Sequence, residues 1–379
     1  MTAAEPDIFF KQKRTTSEIK DSILPAYFKT WYNIQVNGPG SQSVKSLLFI
    51  DGNAGEGVTP AGQPAAPLNI LENIQAADDA PPLVKTFFIN PTGAFADKLT
   101  ANLAQLPFYP ELPEAPVVLT EAAFQEQIEN ISTNNQPALI FLDPSRQGLT
   151  RQFLLRAQQS SETDVLLVAN FNKIYQALLS PEPGSWENTF WGNRLSEVIN
   201  ISRHEPSARK REVLFMQALA AILQEAGFYI FRFNILAPGK NSASQYLMLL
   251  TKSLPGYLGM KEMMQAYSDY QEDGVPLFAA TNKPPVPLLP GFFRYLSNYT
   301  LDNLVAALAQ SRSQFHYKTL QAIYEEHSIG TNYIKANYQQ ALEKLQADGV
   351  LYPVNAQNKK VKAITDTSVI FYNLHRSKK

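Results

Sequence analysis

The chain has no cysteine. That absence excludes disulfides, thiolate metal sites, iron–sulfur ligation and every mechanism built on a cysteine nucleophile. Net charge is almost absent too, with 33 Lys and Arg against 34 Asp and Glu. No global field draws the molecule to nucleic acid or an acidic membrane, so any such role must rest on a local patch. No segment approaches the roughly 20 apolar residues needed to span a bilayer. The opening MTAAEPDIFFKQKRTT lacks the uninterrupted apolar core of a secretion signal, and the expectation is a cytoplasmic protein. The four histidines, at 204, 316, 327 and 375, show no ligand spacing, which leaves metal binding without a basis. There is no GxSxG elbow for a serine hydrolase, no internal repeat and no low-complexity tract.

What the sequence does have is alternation. After a helical opening segment (SEIKDSILPAYFKTWYNI, 17–34), short apolar runs read as buried strands over 47–51, 84–90, 116–120, 138–143 and 165–170. Helical stretches are expected over 95–105, 122–131 and 213–226, followed by strands over 228–236 and 246–251. Such alternation predicts an α/β fold with a mostly parallel, doubly wound sheet covered by helices. The last two strands, joined by APGKNSAS (237–244), look like a hairpin at one end of that sheet. A seven-strand sheet ending in this way resembles the class I S-adenosylmethionine (SAM) methyltransferase fold, which is Rossmann-like.

At 379 residues the chain is long enough for two domains. Its character changes near Gly274, where VPLFAATNKPPVPLLPG (275–291) carries five prolines and suits an extended linker. Beyond it come helical runs over 301–309, 318–327 and 331–347, then VLYPV, the basic turn NAQNKKVK and VIFYNL. Helices followed by a two-stranded wing, with a turn at Ser328–Gly330, predict a winged helix-turn-helix domain over 292–379 behind an α/β domain over 1–274.

The stretch LLFIDGNAGEG, 47–57, is the sharpest local feature. A phosphate loop requires GxxxxGK followed by Ser or Thr, and a dinucleotide loop requires GxGxxG; Gly52, Gly55 and Gly57 give GxxGxG without lysine. Glycines here let the backbone approach a ligand at a strand's carboxyl end, and Asp51 can hold a polar or cationic group beside it. A plain strand-to-helix turn that binds nothing is the competing interpretation.

Motifs further along favour a ligand. DGNAGEG, then QPAAPLNILENI, FFINPTG, IFLDPSRQG and QYLMLLTKSLPGYLGMKEMMQAYS, in that order, resemble the three-Cys-motif partner (TcmP) family over roughly residues 17–270. Members carry a DGFAGPG loop, a GSPL segment, a second strand ending in glutamate and a DPFG motif. The resemblance implies a methyltransferase-like fold, SAM as cofactor, and a radical-SAM-like partner protein bearing three cysteines. It places Asp51, Gly52, Ala54, Gly55 and Gly57 around the cofactor, Asn90 at its ribose and Glu121 near its adenine, although Thr120 and Glu121 read equally well as a helix N-terminus. Three of the chain's departures from the pattern bear on the pocket. Asn90 replaces the ribose-gripping acid, Asn53 the loop phenylalanine, and Ala66 the GSPL serine. An amide at position 90 forfeits a charge-assisted pair, which weakens SAM binding.

LDPSRQG (142–148) closes the fourth predicted strand, where methyl-transfer enzymes present the substrate. In base N-methyltransferases an Asp-Pro-Pro-aromatic motif accepts hydrogen bonds from an amino group and stacks a flipped base. Asp143 and Pro144 keep half of it, and Arg146 either stacks, holds a phosphate or pairs with a nearby acid. The 5-methyluridine chemistry that DPSRQG also evokes needs a cysteine and is excluded. Asn170, Asn172 and Lys173 read first as a polar loop, and RHEPSARKRE (203–212) as a solvated loop. Lys335 on the groove-reading helix, with Asn332 and Asn337, and Lys359, Lys360 and Lys362 on the wing, with Arg376, Lys378 and Lys379 behind them, are the candidate contacts to DNA or RNA. Glu343 and Asp348 on that helix leave a protein-binding role as the rival. Together these features point to methyl transfer onto an amino group of nucleic acid, or else to an adaptor with a decayed pocket that links a radical-SAM-like partner to nucleic acid.

Overall fold

A computed structural model of the chain describes residues 6–38, 44–77, 83–127, 136–236, 245–281, 299–355, 357 and 359–373. The loop at 237–244, the proline-rich segment from 282 onward, the end of the helix expected over 122–131 and the basic tail at Arg376, Lys378 and Lys379 lie outside the described residues. By compactness the chain divides into two units, Lys13–Met260 in one and Ala4–Gln12 with Lys261–Lys379 in the other. Composition puts the change at Gly274, whereas compactness puts it at Met260. The reason lies in the contacts that residues 261–274 make with later ones: Lys261 donates to the Ser328 carbonyl, Gln271 to that of Tyr299, and Asn337 to that of Gly274.

The first unit opens with α1, Thr16–Asn37, whose start is fixed by a reciprocal cap between Thr15 and Glu18. Its buried residues recur every three or four positions, as Ile19, Ile23, Leu24, Tyr27, Phe28 and Trp31, so one stripe of the helix faces the core. The strands are β1 (Ser46–Asp51), β2 (Leu83–Asn90), β3 (Val117–Thr120), β4 (Ala138–Leu142), β5 (Thr163–Asn170), β6 (Tyr229–Leu236) and β7 (Gln245–Thr251). They lie in the order β3-β2-β1-β4-β5-β7-β6. Pairing is parallel from β3 through β5, and β7 runs antiparallel to both β5 and β6. β4 is buried at all five positions, as a parallel strand covered on both faces must be. Between strands run α2 (Ala66–Gln75), α3 (Gly93–Leu103), α4 (Glu121–Gln127), α5 (Gln147–Gln159), α6 (Phe171–Leu178) and α7 (Ala208–Glu225). Because β1 has β2 on one side and β4 on the other, the direction of winding reverses there. That switch opens a crevice at the carboxyl ends of β1 and β4.

The second unit contains α8 (Leu301–Gln310), α9 (Leu320–His327) and α10 (Lys335–Ala347), followed by an antiparallel hairpin of β8 (Leu351–Val354) and β9 (Val369–Tyr372). Thr300 and Thr319 cap the first two of these helices through their side-chain oxygens. The third begins at Lys335 rather than at Thr331. Asn337 Oδ1 takes the Ile334 N–H at 3.0 Å and so ends the preceding loop there. No helix among the described residues is long and apolar enough to cross a membrane.

Candidate active site

The carboxyl ends of β1 through β5 bring most of the sequence-predicted site residues of the first unit into one crevice, but with partners the sequence did not announce. Asp51, the last residue of β1, has no exposure. Lys20 of α1 reaches it: Nζ lies 2.8 Å from Asp51 Oδ2, donates to the Asn53 carbonyl at 2.6 Å, and sits 3.3 Å from that of Ala54. The cationic group that Asp51 was expected to hold is therefore supplied by the chain itself. Lys20 could have been found, since it stands on the buried stripe of α1, in step with Ile23, Leu24, Tyr27 and Trp31. A lysine on an apolar helix face needs a buried acid. Beside it, Asp21 Oδ1 accepts the Ala66 N–H at 2.9 Å and caps α2 from a distance; burial raises its carboxyl above the ordinary range.

The glycine loop is held at every turn. Gly52 donates to the Phe141 carbonyl at 2.9 Å, and a Cβ there would lie 2.8 Å from that oxygen, so β1 and β4 approach too closely for any side chain. Ala54 is buried and donates to the Ile89 carbonyl at 3.0 Å. Gly57 has φ +82°, and a Cβ on it would come within 2.6 Å of Leu68 and 2.7 Å of Leu99. Gly55 differs: φ is +76°, yet a Cβ would meet nothing within 4 Å, so its backbone faces open space.

Asn90, at the end of β2, makes a contact that the resemblance does not imply. Its Oδ1 accepts the Gly55 N–H at 2.8 Å and its Nδ2 donates to the Gly55 carbonyl at 3.0 Å, with the side chain almost wholly buried. The amide is a staple on the glycine loop, a task no ionised carboxylate can perform because it has no proton to donate.

The β4 end is equally tied. Asp143 Oδ2 accepts from Asn53 Nδ2 at 2.8 Å, Oδ1 accepts the Ser145 N–H at 2.9 Å, and Lys173 Nζ stands 4.0 Å from Oδ1. Asn53 reads from the sequence as a lost phenylalanine, but here it joins the β1 loop to the β4 acid. Pro144 is buried against a small apolar cavity lined also by Leu154, Leu167 and Ile174. Arg146 and Glu121 face each other at 3.7 Å, both about a quarter exposed, so the alternative in which Arg146 pairs with an acid is the one found. Asn170 caps α6 by accepting the Lys173 N–H. Ser207 caps α7 within the 203–212 cluster, where Lys210 pairs with Glu205 at 3.1 Å.

In the second unit, Lys335 forms an exposed ion pair with Asp366 at 3.1 Å, and Asn337 is buried as a cap. Asn332 precedes α10 and donates to the Leu277 carbonyl. Lys359, Lys360 and Lys362 are exposed around the hairpin turn, and Lys360 Nζ stands 3.9 Å from the Tyr352 ring centroid.

A doubly wound sheet with its penultimate position filled by a reversed last strand, and a glycine loop after β1 facing an acid after β4, defines a methyltransferase-like fold of class I. No protein-family model and no curated protein matches the chain. Among solved structures it is similar to the O-methyltransferase TomG from Streptomyces achromogenes, involved in tomaymycin synthesis and solved with SAM, at 10% identity over 65% of this chain and 96% of that one, TM-score 0.33. It is also similar to the plantazolicin methyltransferase BamL, solved with a triazolic desmethylPZN analog and SAH, at 13% identity over 65% of this chain and 89% of that one, TM-score 0.28. Likenesses this remote add nothing to the strand order, on which the fold class rests.

Proposed function

We propose that the chain is a SAM-dependent methyltransferase of the three-Cys-motif partner type that methylates an amino group on nucleic acid. The observation that carries the reading is Gly55, a left-handed residue with open space where a Cβ would stand, on the same loop as Asn53, which holds the Asp143 carboxylate. The fit to SAM is partial. The open space beside the Gly55 Cα leaves room for the methionine end of the cofactor, with Gly52, Ala54 and Gly57 shaping the loop and Glu121 at the far rim. At the ribose position Asn90 spends one acceptor site and one donor proton on Gly55, which leaves one of each for a hydroxyl pair.

SAM, when bound, supplies an electrophilic methyl group on a sulfonium sulfur. The chain supplies position. Asn53 and the Ser145 N–H fix the Asp143 carboxylate, and its remaining lone pairs accept the protons of the substrate amino group. Lys359, Lys360 and Lys362, on a domain read as a winged helix, meet the phosphates.

A second reading is favoured by the same staple. With Asn90 turned onto the loop and Asp51 neutralised by Lys20, the pocket is that of an adaptor that joins a radical-SAM-like partner to nucleic acid. Titration calorimetry with SAM and with S-adenosylhomocysteine separates the two. The enzyme reading expects heat with both ligands, and Asp143→Ala that keeps this heat while losing methyl transfer. No heat and no shift in melting temperature at millimolar ligand leaves only the adaptor.

A further inference from the structure

The outer face of the β8–β9 hairpin carries side chains that packing does not explain. Phe371 stands opposite Tyr352 in the antiparallel register, and their rings stack at 5.5 Å with planes 18° apart. Tyr317 packs edge-on against Phe371 at 4.5 Å, and His316 lies against both. Tyr317 is 65% exposed and is held at φ +65°, a left-handed conformation that bulky residues rarely adopt. Its N–H is bonded to the Ile370 carbonyl at 2.9 Å, so the hairpin itself holds the strained residue in place. Together with Val354, Lys360 and Val369 these aromatics line an open groove of about 550 Å³.

The charge on the hairpin is mostly of one sign. Residues 351–373 contain three lysines, at 359, 360 and 362, and one acid, Asp366. That acid is already paired with Lys335. Lys360 stands over the Tyr352 ring, so an ammonium and an aromatic face are presented together. The exposed Tyr317 ring, the half-buried Tyr352 and Phe371 rings and lysines that make no ion pair among the described residues match the two things an unpaired nucleic-acid strand offers, base faces and phosphates. A duplex keeps its bases stacked on one another and has no face to give. A proline-rich peptide suits the rings but gives the lysines nothing to neutralise.

We infer that this face is a stacking platform for single-stranded nucleic acid, with bases on Tyr317, Tyr352 and Phe371 and phosphates at Lys359, Lys360 and Lys362. The inference rests on the nucleic-acid part of the proposed function and narrows it to unpaired strands.

The test is fluorescence anisotropy of the full chain with labelled 15-residue oligothymidylate and oligouridylate, with a duplex of equal length, and with a polyproline peptide. The expected result is single-strand binding at least tenfold tighter than duplex binding at matched salt. Tyr317→Ala should weaken it about five- to hundredfold, the range for one stacked base, whereas Tyr317→Phe, which keeps the ring, should hold it near wild type. Lys360→Ala should lower the slope of log affinity against log salt by about 0.7. Melting temperature and circular dichroism identify variants that have simply unfolded; for these, Tyr352→Phe against Tyr352→Leu repeats the comparison within a bulky residue. Wild-type affinity in folded Tyr317→Ala, or duplex bound as tightly as single strand, overturns the platform while leaving nucleic-acid binding intact. Binding of polyproline alone, or of nothing, overturns both it and the nucleic-acid substrate class, without touching SAM binding, which calorimetry reads separately.

Discussion

Removing the Lys20 ammonium would leave the fully buried Asp51 carboxylate without its 2.8 Å partner. Breaking one side of such a pair strands a charge away from water, an effect of about 3–5 kcal/mol. Lys20→Met should therefore lower the unfolding free energy by that amount in denaturant titrations. Lys20→Met with Asp51→Asn should recover much of it, because the amide still accepts the Asn53 N–H and no charge remains. Asn90 makes a parallel case with neutral groups. Asn90→Asp keeps an acceptor for the Gly55 N–H but turns a second acceptor towards the Gly55 carbonyl, and should destabilise by about 1–3 kcal/mol in the same experiment. A substitution that restores the acid of the family pattern would thus damage the loop rather than repair the pocket.

At the scale of elements, Gly55 and Gly57, both left-handed in the loop after β1, have different duties, and alanine distinguishes them. Gly57→Ala forces a Cβ into Leu68 of α2 and Leu99 of α3 as well as straining φ, so its loss of stability should exceed the strain of about 1–2 kcal/mol expected for Gly55→Ala. If Gly55 meets a ligand, Gly55→Ala should nonetheless be the variant that loses SAM heat in calorimetry while its melting temperature moves less. The loop was legible in the sequence because its chemistry is local: an apolar run, an acid and spaced glycines are properties of eleven consecutive residues. So were the strands, since runs such as Ala138–Leu142 have no polar residue to confuse the period. What sets the site, by contrast, is joined across the chain. Lys20 and Asp51 are 31 positions apart, Asn90 and Gly55 35, and Asn53 and Asp143 90. Read singly, Asn53 and Asn90 are departures from a family pattern; brought together by the parallel register of β2, β1 and β4 they become the loop's own fastenings. The start of α10 was missed for a smaller reason of the same kind, because a buried Asn337 side chain, not a residue in the predicted first turn, decides where the helix begins.

Across the whole molecule, two buried ionisable groups oppose each other in their dependence on pH. Asp164, at the second position of β5, accepts from Tyr27 Oη at 3.3 Å, and burial pushes its carboxyl up to about 7. In the unfolded chain it titrates near the ordinary value of about 3.9, so between these limits the folded state holds the extra proton. Stability from this group is complete below about pH 4 and is lost as pH rises through 7, by roughly 4 kcal/mol in all. Lys261 does the reverse in the second unit. Its ammonium lies against the Ser328 carbonyl and near the Phe278 and Tyr324 rings, and burial pushes it down to about 7. From there to about 10.4 the unfolded chain holds more protons than the folded one, so stability rises with pH across that window. The two arms meet near neutrality, and unfolding measured from pH 4 to 10 should show a minimum there. Asp164→Asn should flatten the acid arm alone and Lys261→Met the alkaline arm alone. A profile that keeps its acid slope in Asp164→Asn would show that the carboxyl at the foot of β5 is not the group that takes up the proton.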